Sequence, residues 1–161
     1  MTNSLAIAAT TATLKLELQT ALNSAIAAGL GVNAAQVLTT RPTATPPSGA
    51  GVHLYLWRIT PDAALANDDL AFRDPGGRLT QLPAAALTLH YLLTFFGRED
   101  EVEAQRLAGV VAAHLHSRPY LTRSMVSAAV AAPGPPAVSA SNLDTPHHLV
   151  RLTHVPLSLD D

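Results

Sequence analysis

The sequence predicts an α+β fold with α/β character: a mixed or mostly antiparallel sheet of four to five strands, packed by two long helices, with a protruding β-hairpin. Three observations predict it. Two stretches repeat apolar residues at helical spacing, two others alternate them at strand spacing, and Asp74-Pro75-Gly76-Gly77 makes a strong turn between two short strand-like runs. With 161 residues, 48% of them hydrophobic, the chain matches one domain spanning residues 1–161, since about 150 residues per domain is usual.

The first helix is read from Leu5 to Ala28, with Ser4 as its N-cap. Ile7, Leu14, Leu18, Leu22 and Ile26 form its apolar stripe, and Gly29 and Gly31 stop it because glycine takes the left-handed conformation that closes helices. Val37 to Thr40 is a short β-branched run ended by Arg41-Pro42, which predicts an edge strand. Pro42 to Gly51 is a loop by composition. Val52 to Thr60 puts Val52, Leu54 and Leu56 on one face and Tyr55, Trp57 and Ile59 on the other, so a strand covered on both faces is expected in the middle of the sheet.

A hairpin arm over residues 66–83 follows, with Leu70–Arg73 and Arg78–Gln81 flanking its turn. Ala84 to Phe96 is the most strand-like run and is expected to be the central strand, with Leu87, Leu89, Tyr91, Leu93 and Phe95 on one face and His90, Leu92 and Phe96 on the other. Glu99, Asp100, Glu101 and Glu103 then mark a helix N-terminus, where negative charge is favourable, and Val102, Leu107, Val110, Val111 and Leu115 give that helix an apolar face to about Ser117. Pro119 breaks it. Thr122 is placed to cap a third helix through Val130, Pro133 to Pro136 interrupts the chain, and His148 to Val155 reads as the last strand. Ser158 and Asp161 have the form of a helix start, so the natural chain is expected to continue past residue 161.

Composition excludes several function classes. The net charge of −2 offers no basic stripe to neutralise phosphates, so nucleic acid is not an expected partner. All 10 basic residues except Lys15 are arginine, the residue suited to planar, bidentate contacts. There is no cysteine, hence no disulfide, thiolate nucleophile or sulfur-ligated metal. No positively charged leader or membrane-length apolar run is present, so a soluble, unexported chain is expected, with no membrane partner.

The search for chemistry points the same way. The seven histidines have poor ligand spacing: His114 and His116 are two apart on a helix and so point about 200° from each other, His147 and His148 face opposite sides of a strand, and His148 and His154 are about 20 Å apart along one. Ser48-Gly49 belongs to a loop with no histidine near it in sequence, and neither glycine-bearing turn has the spacing of a phosphate-binding loop. Asp68-Asp69 and the acidic helix start read as solvated groups. The expectation is therefore no enzyme, no cofactor and no metal. A competing expectation is a small ligand- or metal-binding α+β domain, or an enzyme, using His53, His90 and His114 in an internal pocket. Beyond this, a doubly covered sheet, an exposed hairpin and an arginine-biased charge set describe a part that packs against other proteins.

Four segments carry a resemblance. They are Gly51 to Leu65 (GVHLYLWRITPDAAL), Ala85 to Phe95 (AALTLHYLLTF), Glu103 to Gly109 (EAQRLAG) and Leu157 to Asp161 (LSLDD). In this order they resemble the cap, or tube-terminator, proteins of extracellular contractile injection systems, phage-tail-like particles of the antifeeding-prophage and virulence-cassette kind. The resemblance runs from Leu5 to the last residue, and the strand and helix motifs are specific as a pair. It implies a non-enzymatic structural protein that forms a homo-oligomeric ring, a hexamer. That ring caps the end of the inner tube and sheath distal to the baseplate, stops polymerisation and anchors the sheath. It further implies assembly in the cytoplasm within a particle that is released from the cell. In the family the L-S-L-[DE]-[DE] ending runs on into a further helix. The residues expected at subunit or sheath interfaces are Phe72, Arg73 and Arg78 on the hairpin and Arg41 beside the proline-rich loop, an aromatic and several arginines outside the periodic core.

Overall fold

A computed structural model of the chain describes residues 4–43, 45, 47–64, 72–81, 85–132, 136–144 and 150–155. In chain order the elements are α1 (Ala6–Ala27), β1 (Ala35–Leu38), β2 (Ala50–Pro61), β3 (Phe72–Arg73), β4 (Leu79–Gln81), β5 (Leu87–Phe96), α2 (Glu103–Ser117), β6 (Tyr120–Leu121), α3 (Arg123–Ala131), α4 (Pro136–Ser139) and β7 (Val150–Arg151). The fold is α+β.

Helix α1 buries Leu14, Leu18 and Leu22, the spacing-by-four stripe read from the sequence, together with Ala9, Thr10 and Thr13. The two threonines tolerate burial because their hydroxyls donate to carbonyls one turn back, Thr10 to Ala6 at 2.9 Å and Thr13 to Ala9 at 2.7 Å. The helix starts without the expected serine cap: Leu5, with no side-chain oxygen, holds the N-cap position, and Ser4 lies in the turn before it. Its C-terminus closes as expected. Gly29 has φ +91°, and the Leu30 amide reaches back to the Ala25 carbonyl at 3.1 Å, satisfying an acceptor that the helix leaves open.

Among the described residues the main sheet has three strands, in the order β1-β2-β5, against the four to five expected. β1 runs parallel to β2, and β5 antiparallel to it. The remaining strands form two separate pairs, β3 with β4 and β6 with β7. Thus β2 is central, as its covered faces predicted, whereas Ala84 to Phe96 supplies an edge strand instead of the central one. The reason is non-local: β1, only four residues long, takes the far side of β2. Of the expected strand from His148 to Val155, residues 148–149 lie outside the described residues, Val150–Arg151 is a strand that β6 pairs instead of the main sheet, and residues 152–155 are not strand. Residues 133–135 of the proline-rich break, His147, His148 and the Ser158 helix start lie outside the described residues.

The core forms where Val52 and Leu54 of β2 meet Leu14, Leu18 and Leu22 of α1, Leu107 and Val111 of α2, and Val126 of α3, with Tyr91, Leu93 and Phe95 of β5 packed against them. Tyr91 also ties β5 to α1 through a 2.7 Å hydrogen bond with Thr11. At Gly51 the sheet closes tightly: a Cβ there would collide with the Gln36 carbonyl and meet Phe96 Cζ at 2.8 Å. Thr122 caps α3 as predicted, its hydroxyl accepting from the Met125 amide at 3.3 Å.

The expectation that β2 is covered on both faces holds for only part of its length. Residues 50–54 are buried, then the pairing with β5 shifts register between Leu56 and Arg58, and Trp57, Arg58 and Ile59 are exposed.

Candidate interaction surface

The hairpin predicted from Asp74-Pro75-Gly76-Gly77 is present, and β3 and β4 pair with no other strand among the described residues. Its turn is held by short-range bonds. The Asp74 amide donates to the Arg78 carbonyl and the Gly77 amide to the Asp74 carbonyl, each at 2.9 Å, while Asp74 Oδ1 accepts from the Arg78 amide at 2.9 Å. Gly77, at φ +79°, supplies the left-handed residue the turn needs. Arg73 and Arg78 are brought together on either side of this turn and are both exposed; Arg73 Nη1 donates to the Gly77 carbonyl at 2.9 Å. Phe72 pairs with Gln81 through the backbone, its side chain lying outside the described residues, as do residues 66–71 and 82–83 of the arm and Asp68-Asp69. Arg41 is also exposed, but it follows β1 at the opposite edge of the sheet from β5, and no hydrogen bond or ion pair joins it to the hairpin among the described residues.

The histidines of the competing expectation do not converge. His53 is buried beside Thr40, with Nδ1 at 3.3 Å from the Thr40 carbonyl, and its ring packs 5.1 Å from that of Phe96. His90, on β5, bonds Thr60 Oγ1 at 3.1 Å and lies edge-on to Trp57 at 6.0 Å. Because His53 is opposite Thr94, four residues from His90 along β5, the two are about 13 Å apart. His114 lies on α2, its Nε2 at 3.7 Å from Glu17 Oε2 of α1, the same oxygen that accepts from Arg118 Nη1 at 3.2 Å. Burial, and then the neighbouring Arg118 charge, hold the His114 pKa below its ordinary value, with Glu17 opposing both. Among the described residues no three histidine or carboxylate side chains gather to hold a metal ion.

A family model described as the Pvc16 N-terminal domain matches residues 9–161. The chain belongs to that family. No curated protein and no solved structure matches it. Membership in the Pvc16 N-terminal domain family makes the chain a component of a phage-tail-like contractile injection system, in agreement with the resemblance carried by the strand and helix motifs. No helix among the described residues is long and apolar enough to cross a membrane.

Three features of this family member escaped the sequence reading. One is a patch where β2 leaves the core: the Arg58 guanidinium lies 5.9 Å from the Trp57 ring, which in turn meets His90. The register shift that assembles it has no local sequence signal. The second is the loop after β5. Glu103 is buried at the start of α2 and accepts from the Arg98 amide at 2.8 Å and from its guanidinium at 3.0 Å, bonds that hold the Glu103 carboxyl below its usual pKa. Arg98 also pairs with Glu101, while Glu99 and Asp100 are exposed. The third is a carboxamide that seals β1. Gln19 of α1 donates from Nε2 to the Ala35 carbonyl at 2.9 Å and accepts at Oε1 from the Val37 amide at 3.0 Å, occupying the outer edge of that strand as another strand would.

Proposed function

We propose that this chain is a non-enzymatic capping subunit: copies of it form a closed ring, a hexamer, at the end of tube and sheath distal to the baseplate, where the ring terminates polymerisation and anchors the sheath. Membership in the Pvc16 N-terminal domain family is the observation that carries this reading. The geometry supports it. A terminator needs one surface that meets a neighbouring subunit and another that refuses addition, and this chain has a hairpin that pairs with no other strand among the described residues at one place and a β1 edge sealed by Gln19 at another. Arg73 and Arg78 on the hairpin, with Phe72 beside them and Arg41 after β1, are the residues proposed to meet neighbouring subunits or the sheath. The reading includes assembly in the cytoplasm as part of a particle that is then released, with no nucleic-acid or membrane partner and no cofactor.

Labelling tests the position directly. A tagged chain incorporated into particles and decorated with gold is expected at the end opposite the baseplate, once per particle. Gold spread along the sheath, or gathered at the baseplate, would remove the capping role while leaving a structural one.

A further inference from the structure

Two exposed places hold charges that nothing else in the described chain answers, and they lie toward opposite ends of the β2–β5 pair. One is the patch where β2 leaves the core. Trp57, the only tryptophan of the chain, is 40% exposed, and the Arg58 guanidinium lies 5.9 Å from its ring. Among the described residues no carboxylate pairs with Arg58. Tryptophan and arginine are the side chains most enriched where one protein anchors on another, and a cation–π contact gains strength when the pair is shielded from water.

The other place is the loop where β5 runs into α2. Glu99 and Asp100 are exposed there, and Arg98 is committed to Glu101 and Glu103, so neither carboxylate has an ion-pair partner among the described residues. Beside them Val102 is 47% exposed at φ +50°. That backbone conformation is strained for a β-branched residue, and strain of this kind persists where the surrounding structure over-determines it. Here the bonds around it do so. The Val102 amide donates to the Glu99 carbonyl at 3.1 Å, the Glu103 amide to the Arg98 carbonyl at 3.2 Å, and the Arg98 amide to the buried Glu103 carboxylate at 2.8 Å. The loop therefore presents a fixed apolar knob flanked by two free carboxylates.

The two places match in kind: an aromatic ring with a free guanidinium, and an apolar knob with free carboxylates. Within one copy they stay apart. Arg58 is opposite His90, six residues before Phe96, so about 20 Å of β5 runs between the patch and the loop. Unlike surfaces of one subunit meet when copies are arranged head to tail, the contact that generates a ring when the rotation closes.

We propose that the Trp57–Arg58 patch of one copy receives the Glu99–Val102 loop of the next, with Val102 against the indole ring and Arg58 paired to Glu99 and Asp100. The inference rests on the ring reading above and adds to it the two surfaces that join neighbouring copies.

Charge reversal tests it. Arg58→Glu sets like charges against each other across every contact, and so does Glu99→Arg with Asp100→Arg. Each variant alone is expected to lose ring assembly, read as native mass and as chain at particle ends. In an equal mixture, every contact between unlike variants again joins opposite charges. Alternating rings containing both variants in equal number are therefore expected, a product that a misfolded variant cannot give. Rings from either variant alone, or no rings from a mixture whose members melt like the unsubstituted chain, would overturn the contact and leave the ring reading intact.

Trp57 gives a second readout that needs no substitution, because no other tryptophan contributes to the emission. On ring formation its emission is expected to move to shorter wavelength and its quenching by acrylamide to fall. Rings in which Trp57 is quenched as readily as in the unassembled chain would remove this contact alone. A chain that neither forms rings nor reaches particle ends would remove both readings.

Discussion

Strand β2 divides into two regions that obey different rules. From Ala50 to Leu54 it is buried in the core with α1 and α2, whereas from Trp57 onward it carries exposed side chains, Trp57 at 40% and Ile59 at 46%, and Leu87 of β5, opposite Pro61, is similarly exposed at 44%. The same strand therefore anchors the fold at one end and presents apolar surface at the other. The register shift between Leu56 and Arg58 marks the boundary. The lesson is that burial and exposure are separated along this strand, so substitutions at its two ends should differ in their effect on stability.

The largest effect is expected under the buried half. Leu18 is fully enclosed, and Leu18→Ala should destabilise the protein by about 2–5 kcal/mol, because the lost transfer energy adds to that of the cavity left behind. Urea unfolding would show this as a lower midpoint with an unchanged slope. Next comes Gly51→Ala, where the new methyl meets the Gln36 carbonyl and the Phe96 ring; a cost of about 1–3 kcal/mol is expected from overpacking, measured in the same way. If Gly51→Ala were neutral, the tight closure at this end of β2 would not be what holds it.

The third effect depends on pH. The His114 pKa is held below its unfolded value by burial and by Arg118, so in acid the unfolded state binds the proton more readily. The contribution of this group is complete above the unfolded histidine pKa and is lost as pH falls through the folded one. Glu103, also lowered, adds a second loss at more acidic pH, as its carboxylate protonates and gives up the bonds from Arg98. The melting temperature should fall in two steps on acidification, and His114→Gln should remove only the step nearer neutrality. A melting temperature that rises as pH drops would contradict the sign.

The smallest effect belongs to the presenting half. Ile59→Thr keeps a β-branched side chain at an exposed strand position and should change unfolding free energy by no more than about 0.5 kcal/mol. A loss comparable to that of Leu18→Ala would erase the distinction between the two halves.

Much of this arrangement was legible in the sequence because its causes are local. The four-residue spacing of Leu14, Leu18 and Leu22 read as the buried stripe of α1, Gly29 read as its end, Thr122 as a cap, and Asp74-Pro75-Gly76-Gly77 as the turn that brings Arg73 and Arg78 together. What was not legible depends on distant partners. Whether β2 or β5 is central is decided by β1, whose four residues pair in parallel across a loop, and the two-residue strands β6 and β7 are too short for alternation to show. The Gln19 seal and the meeting of Trp57 with His90 join residues far apart in the chain. The arginines proposed for an interface are exposed, Arg73 and Arg78 on either side of the hairpin turn and Arg41 after β1.

The claim that organises these parts is that the chain acts by capping a growing tube. Electron micrographs of particles assembled without it measure this most directly. The account predicts tubes and sheaths of widely varying, extended length with unfinished tips. Finished particles of one uniform length would contradict it.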